Sequence, residues 1–133
     1  MTRLGYWIKA KTLYDIHSPF VYDLCRNVLY ARAPEEAVAA RDGHTRRFAT
    51  LLYMLKDYLS LSEMRSEGNT LLLGGNDTWG RVLMVDAPHA DRKAEHQWTA
   101  LCADEAYRVS IDLYDVGLLF TNSHLHRQHF LLR

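Results

Sequence analysis

The fold turns on Arg81-Val82-Leu83-Met84-Val85-Asp86, which Ala87-Pro88-His89 ends, and on Val109-Ser110-Ile111-Asp112-Leu113-Tyr114 further along the chain. The first run does not alternate, the pattern expected of a strand buried on both faces. Residues 107–114 do alternate, with Val109, Ile111 and Leu113 on one face and Ser110 and Asp112 on the other. Between them, residues 91–104 read as a helix with Ala94, Trp98 and Leu101 inward. Asp115-Val116-Gly117 reads as a tight turn into Leu118-Leu119-Phe120, and residues 128–132 as a last strand. The second half is therefore strand, helix, strand and hairpin.

Upstream the period changes to that of helices. Residues 3–14 read as a helix with Leu4, Trp7 and Ile8 on one face. Ser18 is a good N-cap and Pro19 suits the first helical position. Val21, Leu24, Cys25, Val28 and Leu29 then follow helical spacing to about residue 31. Ala33-Pro34 opens a short Ala-rich helix that Asp42-Gly43 stops. From Thr45, the series Phe48, Leu51, Leu52, Leu55, Tyr58 and Leu59 marks an amphipathic helix to about residue 60. No strand is expected before residue 61. Residues 62–69 are polar and read as a connector. Leu71 to Leu73 closes a helix or forms a small strand, and Gly74-Gly75-Asn76-Asp77 reads as a turn.

The chain has 133 residues, which suits one domain over 1–133 with a helical part over 1–61 and a strand-rich part over 70–133. Sixteen basic residues balance sixteen acidic ones, so there is no electrostatic case for a nucleic-acid partner. The apolar stretches are too short for a membrane span, and the first ten residues lack the apolar run of a signal peptide. Two cysteines, Cys25 and Cys102, lie in helix-like patterns without metal spacing and read as buried free thiols. A cytoplasmic location is expected.

Several segments carry a resemblance. His17-Ser18-Pro19-Phe20-Val21-Tyr22-Asp23-Leu24 is similar to the H-S-P-F-V-Y-D-L segment near the start of a bacterial group of class I S-adenosylmethionine-dependent methyltransferases. The strand ending in Asp86, the helix with Trp98, Val109-Ser110-Ile111-Asp112-Leu113-Tyr114 and Gly117-Leu118-Leu119-Phe120 resemble that group's closing pattern. So does His129-Phe130-Leu131-Leu132-Arg133, set beside its E-H-F-K-L-R. The helix with Phe48, Leu51 and Leu52 resembles the one that precedes the group's first strand. The matching segments span about two-thirds of the chain in the family's order.

The resemblance implies an α/β fold, α+β in its shortened form. N-terminal helices would pack on a small mixed sheet like the C-terminal part of a Rossmann-like methyltransferase. Class I enzymes build their cofactor site at the carboxyl ends of their first four strands. Those strands and their crossovers need on the order of 100 residues, and the chain between residues 60 and 81 has no room for them. The reading that follows is a shortened methyltransferase-like protein without catalytic activity and without a cofactor, acting through protein contacts. An active methyltransferase with a minimal or dimer-completed S-adenosylmethionine site is the alternative, and an unrelated small binding domain is a third.

Candidate chemistry is sparse. Gly74 and Gly75 follow an apolar run, as a cofactor-binding glycine turn would, but Leu72 stands where the family has an acidic residue. Asp86 and His89 lie where a strand's carboxyl end meets a loop, and an Asp beside a His can support proton transfer. In the family a second Asp follows the first, and here Ala87 takes that place. His124, His126 and His129 lack a nearby carboxylate and read as a polar turn, not a metal site. In the family's strand order, losing the cofactor half leaves the 81–86 strand as an apolar edge. Homo-oligomerisation through that edge or the adjacent sheet face is expected, with no nucleic-acid or membrane partner and an unknown substrate.

Overall fold

A computed structural model describes residues 2–10, 18–32, 46–76, 80–121 and 125–132. The expected Ala-rich helix over 33–42 lies outside them. Helix α1 is Arg3–Lys9, capped by Thr2, whose hydroxyl accepts the Gly5 amide at 3.0 Å. Tyr6 is buried, whereas Leu4 and Trp7, read as sharing one face, are exposed. Helix α2 is Pro19–Leu24, and Ser18 accepts the Val21 amide as expected of a cap. It continues as a π-helical turn over Cys25–Leu29, closed by the Tyr30 amide on the Cys25 carbonyl. Helix α3 is Arg46–Tyr58, with Phe48, Leu51 and Leu55 buried along one stripe.

The remaining elements are β1 (Ser62–Glu67), β2 (Thr70–Asn76), β3 (Gly80–Asp86), α4 (Arg92–Ala103), β4 (Val109–Asp112), β5 (Val116–Phe120) and β6 (Gln128–Leu131). They form one six-stranded mixed sheet in the order β1-β2-β3-β5-β4-β6. Every neighbouring pair is antiparallel except β4 and β6, which are parallel. Strands β3 and β4 therefore run the same way, joined by α4, with β5 inserted between them. The class is α+β.

Two apolar layers hold the sheet. On one face Val21, Leu24, Phe48 and Leu55 from the helices meet Leu73, Val82, Met84, Ile111, Leu118 and Phe120. Phe20 touches Phe120 edge to face at 5.2 Å. On the other face Leu83, Val85 and Leu119 pack against Trp98 of α4. Gly117 makes this second layer possible. A Cβ there would stand 2.5 Å from the indole ring, so only glycine lets Trp98 lie against the strand.

Several expectations are corrected. Residues 62–67 are a strand, not a connector, and a two-residue loop at Gly68-Asn69 joins them to β2. Gly68 has φ +58°, the conformation such a hairpin loop asks of its first residue. Gly74 and Gly75 belong to β2, not to a turn. The sharp bend expected at 115–117 falls at 113–115, and Val116 and Gly117 are already in β5. Ser110 and Asp112, expected on a polar face, are buried beneath α4 and the turn that precedes it, at 5% and 2% exposure.

The 81–86 strand is not an edge. β2 pairs with it on one side, from Thr70 opposite Val85 to Leu73 opposite Val82, and β5 pairs on the other. The chain's own β1–β2 hairpin covers the flank of β3 that was expected to be open. The edge it presents instead is β1, Ser-Glu-Met-Arg-Ser-Glu, exposed throughout and interrupted by a bulge between Glu63 and Arg65. Charges and bulges are the features that blunt an edge against pairing.

Candidate functional site

The carboxyl ends of β3 and β4 lie at the same edge of the sheet, the place where open α/β sheets carry functional groups. Here the chain concentrates its buried polar side chains. After β3, Ala87 turns the backbone into the left-handed region at φ 51°, and Pro88 and His89 follow. The His89 side chain is 6% exposed. Its Nε2 meets Asp112 Oδ2 at 2.6 Å, and its Nδ1 faces Glu95 Oε2 of α4 at 3.6 Å.

Asp112 is well satisfied. Oδ2 also accepts the Trp98 indole N–H at 3.1 Å, and Oδ1 accepts the Tyr114 amide at 2.8 Å. Its carbonyl accepts the Tyr6 hydroxyl, which also meets the Leu132 carbonyl. Burial, and then the Asp112 charge, push the Tyr6 phenol well above its ordinary range, so it stays a neutral donor. The ring of His89 stacks on Tyr114 at 5.1 Å between centroids, and Tyr6 meets both rings edge to face. The Arg3 guanidinium lies 4.7 Å above the Tyr114 ring. Helix α1, the turn after β3, α4 and the β4–β5 turn thus share one polar cluster.

A cleft of about 360 Å³ opens beside this cluster, lined by Arg47, Ala87, His89, Ala90, Tyr114 and Asp115. Its walls are tied together by the Ala87 amide on the Asp115 carbonyl at 2.8 Å. Tyr114, like Ala87, has a left-handed backbone, at φ 70°. Asp115 receives Arg3 on Oδ1 at 3.3 Å and Arg47 on Oδ2 at 3.4 Å.

Of the residues singled out in the sequence, Asp86 and His89 are separated in role. The carboxylate against the imidazole is Asp112. Asp86 lines a neighbouring cleft of about 340 Å³ with Asn69, Asp91 and Lys93, and its carbonyl accepts the Asn69 side-chain amide at 3.0 Å. One His89 ring nitrogen is bonded to Asp112, and the other is buried with no hydrogen-bond partner among the described residues. The His89–Asp112 contact braces the turn after β3 against the end of β4.

Gly74 and Gly75 stand at the far end of the β2–β3 ladder, within an antiparallel hairpin. A Cβ on Gly74 would meet Met64 Sδ at 2.3 Å, so that glycine admits a side chain of β1. Gly75, at φ 103°, sits at the irregularity between Leu73 and Asn76. Of the three histidines near the end, His124 lies outside the described residues. His129 Nδ1 bonds Ser110 Oγ at 2.6 Å, and burial lowers the pKa of that imidazole. Among the described residues no cluster of three or more His, Cys, Asp or Glu is arranged to hold a metal. Cys25 is buried as expected and Cys102 only half-buried; burial pushes the Cys102 thiol up to about 12 and the Cys25 thiol to about 11, which favours the protonated form of both. No helix among the described residues is long and apolar enough to cross a membrane.

Asp112, Tyr6 and Tyr114 were not singled out as site residues in the sequence. Asp112 read as the solvent side of an alternating strand. The usable signal was its place at the carboxyl end of a strand preceding a tight turn. Comparison with protein-family models, with curated proteins and with solved structures gives no match.

Proposed function

We propose that the chain is a shortened derivative of the class I S-adenosylmethionine-dependent methyltransferase fold that has given up the cofactor-binding half and acts through binding, not methyl transfer. The observation that carries this reading is the pairing of β2 along β3. Further parallel strands of a doubly wound sheet would join on that flank, and an antiparallel hairpin occupies it. A cofactor turn needs a strand leading into a helix whose first amides face the ligand. Gly74 and Gly75 lead instead into the next antiparallel strand. The unit β3–α4–β4–β5, with its antiparallel last strand between two co-directional ones, supports the kinship suggested by the closing motifs.

Calorimetric titration with S-adenosylmethionine and with its demethylated product tests the proposal. No heat of binding is expected at millimolar ligand. A dissociation constant tighter than about 100 μM, about −5.5 kcal/mol, overturns it and restores the enzymatic alternative. Self-association is not required to protect β3, because the hairpin already does so. In this reading the chain sediments as a monomer at micromolar concentration. A dimer that also binds the cofactor would support a site completed between two copies.

A further inference from the structure

We propose that the cleft between the Ala87–Ala90 turn and the Tyr114–Asp115 turn binds a small organic oxyanion, a carboxylate or a phosphate, on the guanidinium groups of Arg47 and Arg3. The cleft volume of about 360 Å³ lies within the range of small-molecule sites, roughly 300–1,000 Å³. Its walls are braced before any ligand arrives. Ala87 and Tyr114 hold left-handed backbones that cost energy and persist only where surrounding contacts enforce them. The enforcing contacts are visible: the Ala87 amide on Asp115, the Tyr114 amide on Asp112, and the Tyr114 ring stacked on His89.

Among the described residues the charges beside the cleft are unequal. Among the described residues two guanidinium groups, with five N–H donors each, converge on the carboxylate of Asp115, and Arg47 Nη1 also reaches the Leu113 carbonyl at 3.4 Å. Both carboxylate contacts, at 3.3 and 3.4 Å, are longer than the roughly 2.7–2.9 Å of a strong charge-assisted bond. All three side chains are more than a third exposed, and such pairs contribute little to stability. Asp115 therefore marks how an oxyanion is held here, by a contact weak enough to yield to one. Of the other carboxylates among the described residues, Asp112 Oδ2 and Glu95 Oε2 face the two ring nitrogens of His89.

The test is a titration of the isotope-labelled full chain with inorganic phosphate and, separately, with benzoate at constant ionic strength, followed by amide chemical shifts. Saturable shifts at Ala87, Ala90, Tyr114 and Asp115 are expected with one probe or both, and the stronger responder identifies phosphate or carboxylate as the class. Arg47→Gln should weaken binding at least tenfold. Asp115→Asn, which removes the internal competitor, should tighten it at least threefold, an effect that a merely structural Asp115 would not produce. Arg65→Gln, on exposed β1, should leave it unchanged. Shifts with neither probe, shifts mapping elsewhere, or an unaltered affinity in Arg47→Gln overturn the proposal, as does an Asp115→Asn protein that is folded but binds no more tightly. Should Asp115→Asn fail to give a dispersed spectrum, wild type and Arg47→Gln still decide. Neither probe is a methyl donor, so the result is separable from the cofactor titration.

Discussion

His89 and Asp112, 23 residues apart in sequence, meet at 2.6 Å under the carboxyl edge of the sheet, with both side chains nearly sealed from solvent. That contact links the turn after β3 to the end of β4, and Trp98 brings α4 onto the same carboxylate oxygen. Removing the charge should therefore be felt across several elements. Asp112→Asn is expected to lower unfolding free energy by about 2–3 kcal/mol, since hydrogen bonds to charged groups contribute about 1.5–3 kcal/mol. Urea denaturation followed by circular dichroism measures it, and a loss below about 0.5 kcal/mol would show that the network is not a brace.

Gly117→Ala places a Cβ 2.5 Å from the Trp98 ring. The indole must then lift from the sheet, and overpacking of this kind costs about 1–3 kcal/mol. The midpoint of denaturation should fall with little change in its slope. The near-ultraviolet signal of the tryptophans should change at the same time.

Ala87→Gly should act in the opposite direction. A non-glycine residue in the left-handed region costs about 1–2 kcal/mol, whereas glycine loses about 0.5–1 kcal/mol through chain entropy. A net gain of about 0.5–1 kcal/mol is expected at φ 51°. A destabilised variant would mean that the alanine methyl makes a packing contribution outweighing the strain.

Acid should destabilise the protein partly through His129. Burial lowers its folded pKa, while the Asp112 charge opposes the shift. The unfolded imidazole, near 6.5 (about the model-peptide value), takes up a proton before the folded one does. Stability from this group is complete above that pH and declines as pH falls toward the lower folded value. Denaturation midpoints of wild type and His129→Gln, compared between pH 7.5 and 5, should show a shallower decline in the variant. Parallel declines would remove His129 from the account.

The helices around Phe48 and Val21, the buried run at 82–85 and the helix carrying Trp98 were legible because burial on one or both faces writes a periodic apolar pattern into a segment. β1 was not legible. Its residues are exposed on both faces, so no apolar pattern marks them. The turn reading of Gly74-Gly75 went wrong because close approach by Met64 asks for glycine as strongly as a turn does. In α1, Arg3–Lys9, the apolar Leu4 and Trp7 are exposed while Tyr6 is buried and donates its hydroxyl to backbone carbonyls, a contact that apolar spacing does not report.

Period and length are local properties, and they placed a helical half before a strand–helix–strand–hairpin half. Which flank of β3 the hairpin covers, and that His89 finds Asp112 while Asp86 lines the next cleft, emerged only in the folded chain. Those outcomes depend on strand order and on which faces the helices bury, and contacts between distant residues leave no periodic trace in the chain.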